Sequence, residues 1–543
     1  MANIQDKIAN VFPQATFEQG ETLLVNIPDA QWHQLAQTLR DDPELSFDYL
    51  VTIVGMDWKD KLGCVYYLIS TKHNHMVSVK VTTANREKPM LHSIADLWGI
   101  AGIYEREVYD FFGIIFINNP DMRRLFLSID WKGYPLRKDY DDSDPNLNPI
   151  SIENERQDDN TYTWVEGANG SVQKKTVPVF KEDDFVINIG PQHPATHGVL
   201  RFRTAVDGET IKKIDVYMGY IHRGVEKLCE KLTYPQTLHF MDRLDYFSAH
   251  NYHHGLCLCI EKAAGIEATP RAQVIRVLMD ELSRIASHCL FIGTYCMDLG
   301  ATTMLFYTLR VREQILDIME RTCGARMTFN YDCIGGVMQD LDPNFVSDVK
   351  ELLAVLPKNI KEYNKIFTGN VIAKNRLEQV GVLTREDAIS WAVTGPSGRG
   401  SGWACDVRKT HPYSIYSQLD FEQVVRTEGD SMARFKVRME EMEQSAHIIE
   451  QLIDNIPEGD ICAKVPKVLK LPQGHWFQLV EGCRGAFGIY IESDGTTSPY
   501  RLKIVPPCLP LAAVVDHITR GGKIADLITI GGSLDYIVPD MDR

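Results

Sequence analysis

From Asp141 to about Lys181 the sequence turns to Asp, Asn, Glu, Gln, Ser and Lys with few aliphatics. A stretch so poor in apolar side chains cannot offset the entropy of ordering a packed core, so it reads as a solvated linker. That break divides the 543 residues into two units. Residues 1–140 read as a small α+β domain, and residues 182–543 as a larger, mainly helical domain with small peripheral β-sheets. The fold class expected is α+β.

In the first unit, residues 22–27, 49–54, 64–70 and 76–82 are rich in β-branched and aromatic residues and read as strands. Residues 93–112 read as a helix, with Ile94, Leu97, Ile100 and Ile103 at three-residue steps. In the second unit, residues 271–298 follow Pro270 and carry Val274, Val277, Leu278, Leu282, Ile285, Cys289 and Ile292 along one stripe. Residues 344–367 and 431–456 show the same pattern, and Thr384 to Asp387 look like a capping-box variant opening a helix through Trp391. Residues 487–491 and 500–505 return to strand character. No internal repeat is visible.

The net charge of −16 argues against nucleic acid and against unaided adhesion to anionic lipid. Residues 285–309 are apolar enough to suggest a membrane span, but Ser287, His288, Asp298 and Gly300 interrupt them. A buried helix pair broken around Leu299 and Gly300 is expected, in a soluble chain. The region before residue 20 is too polar for a signal peptide. The 12 cysteines form no Cys-x-x-Cys pair, which excludes zinc ribbons and ferredoxin-type clusters held by this chain alone. Free thiols in a cytosolic protein are the simplest reading.

The run Gly190-Pro191-Gln192-His193-Pro194-Ala195-Thr196-His197-Gly198 lies between two apolar, strand-like segments. Proline fixes φ and glycine allows close backbone approach, so a stiff loop presenting His193 and His197 is expected. Such a loop could deliver a proton to a substrate. Zinc is the rival, but Pro194 argues against the helix that an i, i+4 histidine pair needs, and no further ligands lie nearby. A hydrogen-bonded histidine turn with a purely structural role is the plainer alternative. The glycine-rich run 395–402 lacks the Lys-Ser/Thr ending of a phosphate loop and reads as packing.

Several blocks together resemble the C and D subunits of respiratory complex I, the proton-pumping NADH-quinone oxidoreductase, fused in one chain. Residues 104–114 (Tyr-Glu-Arg-Glu-Val-Tyr-Asp-Phe-Phe-Gly-Ile), 119–125 and 133–140 look like the C subunit, which carries no cofactor. Residues 219–227 (Gly-Tyr-Ile-His-Arg-Gly-Val-Glu-Lys), 242–246 (Asp-Arg-Leu-Asp-Tyr), 324–327, 399–402, 406–410 and the closing Asp542-Arg543 are similar to the D subunit.

The resemblance implies a nickel-iron-hydrogenase large-subunit-like fold for residues 182–543 and a chain that acts only within a complex. It implies a quinone, ubiquinone or menaquinone, as substrate, and a [4Fe-4S] cluster on the partner B subunit. The I subunit and membrane subunits such as H would be further partners, at the cytoplasmic face of the bacterial inner membrane. Carried over by position, His197 and Tyr246 would bind and protonate the quinone, with Asp298 orienting His197. His193, Pro194, Thr196 and Gly198 would shape the quinone loop. Arg223 and Arg243 would lie against the partner's cluster, and the alternative for them is a surface ion pair with Glu226 or Asp242.

A phenol donates at neutral pH and an imidazole titrates nearby, so the residue types suit the chemistry. The runner-up, a membrane-bound hydrogenase-like subunit, needs two Cys-x-x-Cys pairs; their positions fall on Asp245 and Ser248 and in the cysteine-free stretch 537–543. Two departures stand out. Thr328 replaces a histidine found in many family members, so cluster reduction should depend less on pH. Gly482-Cys483 stands where the family usually reads Glu-x-Pro, which leaves the adjoining strand start open.

Overall fold

The computed structural model describes residues 2–141, 143–144, 147–148, 158–167, 170–193 and 198–543. The first sheet comprises β1 (Thr16–Gln19), β2 (Leu23–Asn26), β3 (Tyr49–Asp57), β4 (Leu62–Ile69) and β5 (Met76–Thr83), in the order β1-β2-β5-β4-β3. β2 and β5 are parallel and the other pairs antiparallel. Every residue of β3 and β4 is buried, because both faces of the sheet are covered. The helix Ala101–Phe112 packs on β3, and a Cβ on Gly55 would come within 2.6 Å of the Phe112 ring. Across the sheet, Tyr67 stacks on Phe477 at 4.4 Å and Tyr49 meets Trp403 edge-on at 5.0 Å, both partners belonging to the second unit.

The helix expected from residue 93 begins only at Ala101. Ser93 donates its hydroxyl to Glu105 Oε2 (2.6 Å) and the Ile94 amide donates to Glu105 Oε1 (2.8 Å), so side-chain bonds hold these residues in turns outside the helical ladder. Two helices escaped the periodicity reading, Ala2–Val11 and Asp29–Asp41; the latter buries Trp32, Leu35, Ala36 and Leu39.

Within the expected linker the described residues include two strands. Its residues form β8 (Asn160–Glu166) and β9 (Val172–Pro178), which join β6 (Met90–His92) and β7 (Ile115–Ile117) in the order β6-β7-β8-β9. This ribbon is largely exposed, so its sequence is polar, while Tyr162 and Trp164 lie under the Lys174 ammonium at 3.7 and 5.2 Å. A strand with little to bury carries little apolar signal.

The second unit opens with a sheet of β10 (Phe185–Ile189), β11 (Arg201–Asp207) and β12 (Thr210–Tyr217). Its centre is the helix Pro270–Asp298, whose first turn is capped by the Thr269 hydroxyl accepting from the Ala272 amide at 3.2 Å. Gly300 (φ +90°) turns the chain, and Thr303–Cys323 packs back against that helix, as the break at residues 299–300 predicts. The other expected helices appear as Phe345–Tyr363, which runs into a π-turn, Arg385–Ser390 and Ser431–Ile453. The run 395–402 is buried and opens as the short helix Gly395–Arg399. A small hairpin of β13 (Asp332–Cys333) and β14 (Gly336–Val337) follows Thr303–Cys323, and the last sheet has β15 (Gly474–Glu481), β16 (Ala486–Ser493) and β17 (Arg501–Val505). Residues 482–485 form the β15–β16 turn, with the Cys483 amide donating to Ser248 Oγ at 3.1 Å; this fixes the strand start at Ala486. Among the described residues no helix is long and apolar enough to cross a membrane.

The central helix is buried nearly all round, and its second stripe carries Arg276, Asp280, Glu281, Arg284 and His288. Each finds a partner. Arg276 donates to Glu261 (2.7 and 3.1 Å), His254 pairs with Asp280 (2.7 Å), and Arg408 reaches both oxygens of Glu281 (3.0 Å each). Arg284 donates to the carbonyls of Gly482 (2.9 Å) and Glu481 (2.8 Å). Arg399 bridges Glu441 and Glu481, and His288 Nε2 lies 2.9 Å from Glu441. Burial by itself would raise the Glu441 pKa; Arg399 and His288 reverse that and hold it well below the carboxylate range.

Candidate functional site

The histidine loop joins β10 to β11, whose register ends at Ile189 opposite Phe202. Its base is closed tightly: a Cβ on Gly190 (φ +88°) would lie 2.0 Å from the Leu200 carbonyl oxygen. At its far end a Cβ on Gly198 (φ +146°) would lie 2.5 Å from Val538. His193 is exposed, while Pro194, Thr196 and His197 lie outside the described residues.

Tyr246 sits in the turn between the helices Tyr234–Met241 and Ala249–Ala264, half-buried, with its ring 4.3 Å from that of Phe247. It lines a narrow crevice with Ser287, Arg312, Met327 and Phe329. No hydrogen bond of its hydroxyl occurs among the described residues. Burial raises the phenol pKa above the ordinary tyrosine value, against the opposing pull of Arg484. The group is therefore a protonated donor at neutral pH. Asp298 ends the central helix and is half-buried.

One segment connects these residues, and neither Arg484 nor Asp535, which anchor it, stands out in the sequence as a site residue. Arg484 grips Asp245, the residue before Tyr246, at 2.9 and 2.8 Å, and donates to the Asp535 carbonyl at 2.8 Å. The neighbouring Tyr536 phenol is raised by burial and by the Asp298 charge. Val538 then supports Gly198. Residues 535–538 thus run from beside Tyr246, past Asp298, to the foot of the histidine loop. Thr328 lies on the turn between Met327 and Phe329, in the left-handed region (φ +53°), and donates its hydroxyl to the Met327 carbonyl at 2.7 Å. Phe329 stacks on His250 at 4.4 Å.

The hydrogenase alternative fails on the donor set. Asp245 is engaged by Arg484, and Ser248 Oγ accepts from Cys483 and donates to Asn251 Oδ1 (2.9 Å). Cys508 is near, but burial holds its thiol pKa well up and its sulfur accepts the Ile537 amide at 3.2 Å. Asp540, pushed up to about 7 by burial and the Asp245 charge, accepts the Cys508 amide at 3.2 Å. Soft thiolate pairs are needed for such a centre, and this arrangement offers none.

Arg223 and Arg243 are exposed neighbours: Arg223 Nη2 donates to the Arg243 carbonyl at 2.9 Å. Burial and then the Arg243 charge lower the Arg223 pKa. The surface-pair alternative does not hold for Arg223, because Glu226 is taken by Arg501 (2.7 Å), Lys503 (3.5 Å) and Arg543 (3.2 Å). Neither arginine makes a direct ion pair among the described residues, although the Asp542 charge acts on Arg223 and the Asp242 charge on Arg243; two adjacent exposed cations suit an anionic group outside the chain.

Two family models match separate parts of the chain. Residues 25–146 match the family described as respiratory-chain NADH dehydrogenase, 30 Kd subunit, and residues 298–543 match the 49 Kd subunit family. The NADH-quinone oxidoreductase C/D subunit of Phocaeicola vulgatus is 54% identical over 520 residues, covering 96% of this chain and 99% of that protein. Its counterpart in Bacteroides thetaiotaomicron is 52% identical over 528 residues, 95% of this chain and 99% of the relative. The NADH-quinone oxidoreductase D 2 subunit of Solibacter usitatus is 44% identical over 360 residues, 66% of this chain and 97% of its own length. With both units matched in order and more than half of the aligned positions identical to a full-length fused relative, the chain belongs to the family of fused C/D subunits of NADH-quinone oxidoreductase, part of the oxidoreductase complex I.

Proposed function

We propose that this chain forms the quinone-reduction site of a complex I-type enzyme together with the B subunit, with the I subunit and membrane subunits such as H as neighbours. The chain would sit peripherally at the cytoplasmic face of the bacterial inner membrane, with residues 182–543 built on a hydrogenase large-subunit-like plan. A [4Fe-4S] cluster on the B subunit would supply the electrons when bound, and the paired Arg223 and Arg243 cations fit a group whose negative charge increases on reduction.

This chain's own part is binding and proton delivery. Reducing a quinone to a quinol takes two electrons and two protons and forms two O–H bonds. Tyr246 would donate a hydrogen bond to one carbonyl oxygen and then its proton as that oxygen gains charge. His197, protonated on both ring nitrogens, would give one proton to the other oxygen, with Asp298 accepting a hydrogen bond from the second ring N–H and stabilising the imidazolium. Ubiquinone or menaquinone would satisfy these donors equally. The observation that carries the reading is Tyr246: its phenol lines a narrow crevice, carries its proton at neutral pH with a pKa that burial raises further, and spends its hydroxyl on no bond among the described residues.

The test is Tyr246→Phe, with donor-independent quinone reductase activity measured in membranes and assembled complex quantified in parallel. Positioned acid catalysis is worth about 10²–10⁴-fold, so turnover should fall by at least about 10² at unchanged assembly. Unchanged turnover and unchanged apparent quinone affinity would make the chain a scaffold.

A further inference from the structure

The turn that carries Arg223 is held by groups from both ends of the chain. Asp542 accepts the Gly219 amide on Oδ1 (3.0 Å) and the Ile221 amide on Oδ2 (3.1 Å). His222 donates Nδ1–H to the Asp542 carbonyl at 2.7 Å, and the Arg223 amide donates to Arg543 O at 3.0 Å. From the first unit, Phe111 and Phe126 stack against the His222 ring at 5.2 and 5.6 Å. Gly219 (φ +103°) rests directly on Phe126, where a Cβ would lie 2.2 Å from the Phe126 carbonyl oxygen. Arg543 completes the clasp: its guanidinium lies 5.4 Å from the Phe126 ring centroid and pairs with Glu107 (3.0 Å) and Glu226 (3.2 Å). The backbone amides of residues 219, 221 and 223 are therefore committed, and the side chain left over is the exposed Arg223.

We infer that Phe126, Phe111 and Asp542 are positioning residues for Arg223, so that the first unit helps set the electrostatics felt by the partner's redox centre. The inference rests on the reading that Arg223 faces that centre. A clasp built only for stability would not need to end on an exposed cation beside a second one. Here the committed amides, the stacked imidazole and the glycine contact all fix the direction in which Arg223 leaves the backbone. Phe126 bears no charge, so anything it does to a redox potential must act through the geometry of its neighbours. Asp542 acts through the Gly219 and Ile221 amides it accepts; burial pushes its carboxyl up to about 7, so its own charge is only partial at neutral pH. Releasing Arg223 disfavours the reduced centre.

The experiment compares assembled complexes carrying Phe126→Leu, Arg223→Gln and the double substitution, with the midpoint potential of the partner cluster read by potentiometric titration under electron paramagnetic resonance. Arg223→Gln should lower the potential. Phe126→Leu should lower it by a smaller amount, and should add nothing in the Arg223→Gln background. An unmoved potential in Phe126→Leu, alongside a lowered one in Arg223→Gln, overturns the positioning role. An unmoved potential in Arg223→Gln overturns instead the reading on which it rests. Should Phe126→Leu fail to assemble, Phe111→Leu removes the other stacking face and carries the same expectations.

Discussion

The carboxylate of Asp110 offers a sharp test of how the first unit holds residues 125–127, the segment that presents Phe126. It is fully buried, and its Oδ2 accepts the amides of Leu125 (3.0 Å), Phe126 (2.7 Å) and Leu127 (3.0 Å). Its Oδ1 accepts from Arg124 Nη1 at 2.9 Å. Asp110→Asn keeps the shape but not the pattern. With the amide oxygen toward the backbone, the new NH₂ faces the Arg124 donor; turned over, it faces three N–H groups. Charge-assisted bonds contribute about 1.5–3 kcal/mol each and neutral ones about 0.5–1.5, so four weakened contacts remove about 4–6 kcal/mol. Local opening should become easier by about the same amount, and 1.4 kcal/mol is about tenfold, so exchange of these amides should accelerate by about 10³–10⁴. The assay is hydrogen–deuterium exchange of a peptide spanning residues 124–128 in the full chain, with peptides from the central helix as an internal control. Exchange within about threefold of the parent protein would refute the reasoning.

Restoring an imidazole by Thr328→His should give the partner cluster a potential that falls with pH near neutrality, where the parent's is flat; a parent slope near one proton per electron refutes this. Gly219→Ala should strain the local contact between the two units and lower the yield of assembled complex, because the new methyl meets the Phe126 backbone and φ is +103°; normal yield would count against that packing. His92 is raised to about 9, first by its bond to Asp29 and then, against desolvation, by Glu166. Its folded-state pKa lies above the unfolded value of about 6.5, so its contribution to stability is complete below that pH and is lost as pH rises toward 9. Imidazole C2-hydrogen exchange followed by mass spectrometry should show a midpoint near 9, and a midpoint near 6.5 would show that the Asp29 bond does not form.

Strands β3 and β4 were legible because burial on both faces leaves nearly continuous apolar runs, and the break at Leu299–Gly300 because charge interrupts the hydrophobic stretch. The ribbon β8–β9 was not, since exposed strands need no apolar alternation. The helix start at residue 101 was hidden because Glu105 binds Ser93 and Ile94, a contact that periodicity does not encode. At the candidate site, Tyr246, Arg223 and Arg243 were reached through family resemblance; their local sequence alone would have read as packing and surface charge. Arg484 and Asp535 were missed, although one signal was present. Arg276, Asp280, Arg284 and His288 recur at four-residue steps inside an apolar helix, which announces an interior built for charges and so for partners elsewhere in the chain.

The join between the units has a consequence for how much strength their interface needs. β9 belongs to the first unit's second sheet and ends at Pro178, and β10 begins the second unit at Phe185, so only residues 179–184 separate them. A tether that short raises the local concentration of each surface around the other to about the millimolar range. Contacts such as Tyr500 hydroxyl to the Asp57 carbonyl (2.6 Å) and the Gly99 amide to Ser390 Oγ (2.9 Å) then need hold only an intramolecular docking equilibrium. Substitutions that would separate two free polypeptides at cellular concentrations leave the fused pair closed. The fused chain can thus accumulate variation across this seam that an unfused pair would lose.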